Sequence, residues 1–542
     1  MSQKKETGAS VLGSIVSHLL KTKNPDDMLE QSKETGLKKT LNWVDLIILG
    51  IGAVIGAGIF SMVGTAVVGA NHDGAGPGLV VSMIIAAIAC IFSALCYAEF
   101  ASMIPVSGGV YTYTYATLGE LAAWMVGWVL MLQYTIGNIA VACSWTGYLF
   151  QFLRGFEPYT ANLPPVLHNI CHHIMYPPLW LINDFASAKA EYIRMGLNPT
   201  DHIPYIFGVV PFSINLPAIL IIMLVTYILV KGISESKNMA SVMVVIKLLV
   251  IALFIGVGAF YVKPVNWVPF TPNGIGSIFV SAFIIFFAYT GFDAISTAAE
   301  ETKNPQRDVP IGIIGTLLVC TIIYIMVALV LTGVVPWQMI NINAPIAHAI
   351  QMTGQNWIAG LISVGALTGL TSVLLVMQLA ATRILFSMAR DNFFPSILKK
   401  VHPVYKTPHI ITWIVGAAMI VGTLFLDLNL AAQLCIFSVF TSFIVVCVSV
   451  LILRKTDPER KRPFKVPCSP LFPSLGILLC GSLMCVAIIK MGKFAILFPM
   501  WLLIGLSIYA CYGYKRNRAM EAKAVGAIET EQVEQKESSE IK

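Results

Sequence analysis

Two stretches of this sequence carry glycines where an apolar helix would otherwise run unbroken. The first reads Gly50-Ile-Gly-Ala-Val-Ile-Gly-Ala-Gly-Ile-Phe60 and the second Phe286-Phe-Ala-Tyr-Thr-Gly-Phe-Asp293. A helix that unwinds inside a membrane frees N–H and C=O groups that lipid cannot satisfy. Freed N–H groups at the start of a half-helix, its positive dipole end, favour a carboxylate. Freed carbonyls at the end of the other half favour an ammonium group. A zwitterion such as an α-amino acid presents both. Gly56, Gly58 and Gly291 permit an irregular backbone and a close approach. Glycines also serve helix packing, and Gly52, Gly56 and Gly58 with Gly64 suit small-residue contacts equally well. Spacing alone leaves both readings open.

Several ionisable side chains fall in or beside apolar stretches, where an ionisable group is a functional candidate by default. Lys247 stands in Val244-Val-Ile-Lys-Leu-Leu-Val250. It lies nine residues beyond Asn238, about 13 Å along a helix at roughly 1.5 Å per residue. Snorkelling to the surface is hard from that depth. An amine in such apolar surroundings is able to give up its proton, which makes Lys247 the candidate for proton coupling. Asp293, just past the second break, suits a cationic substrate side chain, a gate or a helix contact. Glu99 and Asp45 sit near helix ends, and their expected roles are structural, a helix cap in the case of Asp45. His168, Cys171, His172 and His173 resemble a metal set only loosely; solvated loop residues are the expected reading, with no metal or other cofactor.

These residues need helices to hold them. Of 542 residues, 57% are hydrophobic and 12% charged, with mean hydropathy +0.78. A soluble chain carries about 25% charged residues. Apolar runs recur along the whole chain, and short alternating segments that would suit a β-barrel are not seen. The expected fold is an all-α integral membrane protein of about twelve transmembrane helices. They fall near 42–69, 78–103, 120–150, 209–231, 239–262, 275–299, 311–335, 357–387, 408–426, 429–453, 470–490 and 497–514, numbered here as spans 1 to 12. The two glycine breaks occupy the first span of each half of a five-plus-five inverted repeat, spans 1–5 and 6–10, with broken helices 1 and 6. Such interrupted helices in corresponding places point to a site at the bilayer midplane.

The expected organisation is a cytosolic N-terminal tail (1–41), a ten-helix core (42–453) with a long extracellular loop (152–207), peripheral spans 11 and 12 (454–514), and a Glu/Lys-rich, disordered tail (515–542). Residues 10–22 have helical apolar spacing and form either a helix on the inner leaflet or a loosely ordered tail. Positive residues set the orientation. Arg390, Lys399, Lys400 and Lys406 precede span 9; Arg454, Lys455, Arg460, Lys461, Arg462 and Lys465 precede span 11; Lys515, Arg516, Arg518 and Lys523 follow span 12. All fall inside if both termini are cytosolic at the cell membrane. The formal charge of +7 is therefore explained without nucleic acid. An enzyme is not expected: the chain lacks a Gly-x-x-x-x-Gly-Lys-[Ser/Thr] loop and a convincing nucleophile–base set.

Four stretches carry a family resemblance. One runs from Thr35-Gly-Leu-Lys-Lys-Thr-Leu41 through the first break. A second is Cys96-Tyr-Ala-Glu-Phe-Ala-Ser-Met-Ile-Pro-Val-Ser-Gly-Gly-Val-Tyr-Thr-Tyr113, followed by Gly119-Glu-Leu-Ala-Ala-Trp124. A third runs from Phe286 to Pro310 and includes Ala298-Ala-Glu-Glu-Thr-Lys-Asn-Pro-Gln-Arg-Asp308. The last is Thr382-Arg-Ile-Leu-Phe-Ser-Met-Ala-Arg-Asp391. Together they resemble the amino acid–polyamine–organocation superfamily, most of all its cationic amino acid transporter branch and bacterial relatives. The resemblance implies a secondary transporter of amino acids. Ala57, Gly58 and Ile59 would then offer N–H groups to the substrate carboxylate. Carbonyls of Val54, Phe287 and Thr290 would take its ammonium group, and Phe292 would gate the site. Glu300, Glu301 and Arg307 would help hold an inner gate. In proton-coupled relatives a span-5 lysine stands where sodium sits in sodium-coupled members. Lys247 would on that basis bridge span 1 near Gly52 and Ala53 to span 8 near Thr371 and Ser372.

One position departs from the family pattern. Span 3 reads Trp128-Val-Leu-Met-Leu-Gln-Tyr134, with Gln133 where the pattern has Glu. The missing carboxylate weakens the case for arginine or lysine. The expected function is proton-coupled uptake of small neutral and/or cationic L-amino acids by alternating access. The partners would be substrate, proton and lipid bilayer. The alternatives are an exchanger without ion coupling, or a receptor that binds amino acids without moving them.

Overall fold

In the computed structural model residues 20–26, 28–29, 39–69, 73–106, 108–160, 163–206, 210–232, 236–514, 516 and 518 are described. The chain is built from helices; the described residues include one two-stranded hairpin, Tyr205–Ile206 against Val210–Pro211, in the loop between spans 3 and 4. Eight helices are long and apolar enough to cross a membrane, and a bent pair, Trp43–Val54 with Gly58–Val68, makes a ninth. Leu216–Lys231 and His409–Gly422 are shorter apolar helices at the places of spans 4 and 9. The last of the eight, Leu471–Gly513, is 43 residues long, too long for one crossing of a core about 30 Å thick. It divides after Met491, where Gly492 takes φ +53°. The division supplies spans 11 and 12.

Local sequence explains where the helices begin. Asn42 caps span 1, accepting from the N–H groups of Val44 and Asp45 at 2.8 and 3.1 Å, and Asp45 accepts from the Asn42 N–H at 3.0 Å. This capping box is the structural role expected of Asp45. Asn215 and Asp427 cap spans 4 and 10 through Ala218 and Leu430. Pro305 enters span 7 in its first turn, where its missing N–H costs nothing.

The repeat is visible in which helices touch. Span 2 packs on 7, 3 on 8 and 4 on 9, each pair joining equivalent helices of the two halves. The contact of span 1 with 7 is matched by that of 6 with 2, and the contact of 5 with 8 by that of 10 with 3. An offset of five helices is odd, so equivalent helices cross in opposite directions. Span 11 lies outside on spans 2, 6 and 10. Span 12 is held on span 3 by Trp128 and Trp501, stacked with ring centroids 4.4 Å apart. Each indole N–H donates to the other residue's carbonyl, at 2.9 and 3.1 Å.

Some elements differ from expectation. The loop between spans 2 and 3 contains a buried helix, Gly109–Thr117, and the loop between spans 3 and 4 contains Pro165–Met175 and Phe185–Arg194. Leu20, Lys21 and Thr22 are not helical; the rest of the 10–22 expectation lies outside the described residues. So does the disordered-tail expectation, except that Arg516 and Arg518 continue the last helix. The N-terminal segment docks on the core: Lys23 pairs with Asp391 at 2.6 Å and Arg460 with Asp26 at 3.2 Å.

Candidate functional site

Both breaks exist, and they face each other. In span 1 the helical ladder runs to the Ile55 N–H, bonded to Ile51, and resumes with the Phe60 N–H, bonded to Gly56. A π-helical turn over Gly58–Met62 follows, and the two halves are bent by 45°. Span 6 is α-helical over Gly274–Ile285, tightens to a 3₁₀ turn over Phe286–Tyr289, and then unwinds. Thr290 is extended (φ −67°, ψ 143°) and Gly291 takes φ +111°, a conformation that favours glycine. A Cβ on Gly58 would stand 2.2 Å from the Ala288 Cα, and one on Gly291 2.9 Å from the Ala53 oxygen. The two unwound backbones therefore touch through their glycines. The breaks and the small-residue packing are features of one arrangement.

Val54, Gly56, Ala57, Gly58, Ile59, Phe287, Thr290, Gly291, Phe292 and Asp293 are all buried around this crossing. The Tyr324 hydroxyl, from span 7, lies 3.1 Å from the Val54 oxygen and 2.8 Å from that of Ala288. The Phe287 oxygen accepts from the Thr290 N–H and hydroxyl, at 3.2 and 2.8 Å. The Phe287 carbonyl already accepts two bonds, so an ammonium group there would replace one of them. Phe292 packs against Tyr97 and Phe443, with centroids 5.7 and 5.1 Å away. Asp293 Oδ2 accepts from Gln133 Nε2 at 3.0 Å and the Tyr134 hydroxyl at 2.7 Å. Its Oδ1 is buried with no protein partner among the described residues. Asp293 lines a crevice with Gly108, Gly109, Tyr134, Ser296 and Thr297. The departure at Gln133 thus places an amide donor, rather than a second carboxylate, on Asp293.

Lys247 is fully buried, and Nζ donates to the carbonyls of Gly52 at 2.8 Å and Ile55 at 2.9 Å. These carbonyls lie in the last turn of the first half of span 1, the negative end of its dipole. The expected span-1 contact is present at Gly52 and Ile55 rather than Ala53. The span-8 contact is different in kind. The Thr371 hydroxyl donates to Leu367 and accepts from Trp145. Span 8 meets the lysine instead at Gly369, where a Cβ would lie 3.3 Å from the Lys247 Cβ. Gly369 makes room for the stem, so span 8 packs against the lysine without ligating it.

Polar contacts flank the crossing toward both ends of the spans. At one, Ser61 bonds Ser144 and the Asn343 carbonyl, and the Tyr148 hydroxyl donates to the Phe60 carbonyl. At the other, Glu301 pairs with Arg383 of span 8 at 3.2 Å, and the Thr40 and Leu41 N–H groups donate to the Glu301 carbonyl. Arg383, not Arg307, is the cation on Glu301. Asp391 joins Lys23 to the Tyr111 hydroxyl, 2.6 Å away. Glu99 is structural as expected: it binds Arg454 and the Val466 N–H, tying the segment before span 11 to span 2.

Sequence reasoning missed Tyr134, Tyr324 and Arg383. Arg383 stood in a motif already singled out, and Tyr134 stood next to Gln133. Tyr324 left no signal, because one hydroxyl in an apolar span has no spacing to betray its partner. His168 to His173 lie on the loop helix Pro165–Met175, with the His168 Nδ1 3.1 Å from the Thr160 carbonyl oxygen. Among the described residues no group of three His, Cys, Asp or Glu side chains is placed to hold a metal ion.

Comparison with known proteins adds to this geometry. A family model described as amino acid permease matches residues 41–510. The chain is 44% identical to the branched-chain amino acid permease BcaP of Bacillus subtilis over 490 residues, 90% of this chain and 96% of that protein. It is 40% identical to the methylthioribose transporter of the same organism over 509 residues, 93% and 99% of the two chains. It is 38% identical to the chloroplastic cationic amino acid transporter 9 of Arabidopsis thaliana over 368 residues, 68% of this chain and 58% of that one.

Proposed function

From the premise that this chain belongs to the amino acid permease family, and so is an amino acid transporter and not an enzyme, we propose that it drives uptake of neutral amino acids with protons. The substrate carboxylate meets the N–H groups of Ala57, Gly58 and Ile59. Its ammonium group meets carbonyls of Val54, Phe287 and Thr290. Phe292 closes over it. Asp293, held by Gln133 and Tyr134, orders the second half of span 6 rather than pairing with a substrate cation. The protein sits in the cell membrane with both termini cytosolic. Residues 42–453 form the transport core and spans 11 and 12 its flank.

The observation that carries this reading is the pair of bonds from Lys247 to Gly52 and Ile55. A bond to a charged donor contributes about 1.5–3 kcal/mol, roughly twice that of a neutral one. The protonated amine therefore ties the end of the first half-helix to span 5, as a bound cation would. Losing the proton weakens both bonds at once and frees that half-helix to move. The coupling needs no sodium ion.

The test is uptake into proteoliposomes under an inward proton gradient, with and without sodium. Wild type should concentrate branched-chain or small neutral amino acids with no sodium present. Lys247→Met should bind substrate but fail to concentrate it. Lys247→Arg should also fail, because a guanidinium stays protonated in proteins. Sodium-dependent uptake, or accumulation by the Met variant, would overturn the role of the lysine. Counterflow that proceeds at full rate without any gradient, with no accumulation by wild type, would favour the exchanger instead. Methylthioribose has neither carboxylate nor ammonium; transport of it in preference to every amino acid would remove the zwitterion site.

A further inference from the structure

The loop between spans 3 and 4 carries a surface that the transport cycle does not use. From Pro158 to Asn183, 26 consecutive residues include no Asp, Glu, Lys or Arg. A water-exposed segment of that length with an ordinary composition would hold about six. Within it stands the helix Pro165–Met175. Val166, Leu167, Ile170 and Ile174 are 70%, 49%, 51% and 55% exposed. Their spacing puts all four on one side of the helix. His168 and His172 lie on the opposite side, and Met175 is buried against the protein. The aromatic residues Tyr159 and Tyr176 flank the helix, exposed themselves.

The helix is also tied to the end of span 3. Arg154, the last residue of span 3, donates from Nε to the Met175 carbonyl at 3.4 Å, and its guanidinium lies 4.9 Å from the Tyr176 ring centroid. Phe152, one turn inside span 3, packs edge-on against Phe156 at 5.0 Å. The C-terminal end of the loop helix is thus bonded to the boundary between a spanning helix and the loop that follows it. Arg and Tyr at such a boundary are the usual anchors at the headgroup layer.

We propose that Pro165–Met175 is an interfacial helix, lying in the plane of the membrane on the face opposite the chain's N-terminus. Val166, Leu167, Ile170 and Ile174 enter the boundary between headgroups and acyl chains. The occupant is lipid rather than a protein partner. The stripe is aliphatic, the segment lacks the formal charges that would specify a docking partner, and its C-terminal end is bonded to the end of a spanning helix. The helix then braces the outer end of span 3 against the membrane.

Nitroxide accessibility tests this in the full-length transporter, reconstituted in phosphatidylethanolamine–phosphatidylglycerol liposomes. Labels go singly on Leu167→Cys, Ile170→Cys, Ile174→Cys, Asn169→Cys and His172→Cys, with Cys171, Cys468, Cys485 and Cys511 replaced by serine. Retained amino acid uptake confirms that each labelled protein is folded. Positions 167, 170 and 174 should relax at least threefold more with oxygen than with a water-soluble nickel chelate, and position 172 the reverse. Nickel access at every position would put the helix in water and overturn the proposal. Access to neither reagent at 167, 170 and 174 would mean that a second copy or another protein covers the stripe, and would also overturn it.

Discussion

At the scale of single residues, the buried polar groups divide into those that hold helices together and those placed at the helix breaks. Glu99 belongs to the first kind. It is 1% exposed and faces two guanidiniums, that of Arg454, about a quarter exposed, and that of Arg462, 6% exposed and 3.5 Å away. Glu99→Gln removes the charge that offsets both. The expected loss is about 3–5 kcal/mol, because Arg462 would be left as a buried charge without its counter-ion. It should appear as a lower melting temperature with unchanged substrate affinity in the surviving protein. Asp293 belongs to the second kind, and its partners bear on selectivity. With Gln133 and Tyr134 on Oδ2, half of the carboxylate is engaged within the protein, and the amide of Gln133 stands where a second carboxylate would strengthen the pull on a cationic side chain. Small neutral and branched-chain amino acids should therefore compete at least as well as arginine or lysine. A strict requirement for a cationic side chain in competition assays would move Asp293 into direct contact with substrate.

At the scale of elements, spans 1 and 6 cross with backbone against backbone. That geometry changes what a substitution at Gly58 does. Gly58 is among the residues expected to meet the substrate carboxylate, and a side chain there would fill that site. In the structure its Cβ would meet the Ala288 backbone at 2.2 Å, and backbone cannot rotate away. Gly58→Ala should thus lose binding and stability together, by about 1–3 kcal/mol or more as over-packing does. Gly56→Ala is the control from the same turn. Its Cβ would meet only the Val373 side chain, at 2.8 Å, so its stability loss should be smaller. Thermal unfolding monitored by size-exclusion chromatography ranks the two. Equal stabilities would mean that the crossing loosens in the membrane.

At the scale of the whole molecule, the basic residues before spans 9 and 11 and after span 12 share one membrane face with the N-terminal segment. Arg460 reaches Asp26 and Lys23 reaches Asp391, so the segment around residues 23–26 lies against the loops that precede spans 9 and 11. An even number of spans requires the same side for both ends. Epitope tags at the two termini should both be shielded from an impermeant protease in intact cells and both be cut after permeabilisation. Cutting of either tag in intact cells would reverse the orientation read from the charges.

Much of this architecture was legible in the residues alone, because a bilayer imposes simple demands. Backbone groups must be satisfied within each span, so long apolar runs become helices, and glycine-rich interruptions in spans 1 and 6 mark where that rule is broken. The depth of Lys247 within span 5 followed from counting residues. Contacts between distant segments did not follow. Gln133 read as a missing carboxylate; folding makes it a donor to Asp293, which is 160 positions away. Lys247 finds both its ligands on span 1 and only space on span 8. Glu301 takes Arg383 rather than its near neighbour Arg307. The uncharged loop helix read as a solvated segment, and only the folded chain bonds it to Arg154 at the end of span 3. Composition and periodicity report the environment each residue must enter. Which side chain reaches which carbonyl depends on the rotation and crossing of packed helices, and that geometry exists only once the tertiary structure has formed.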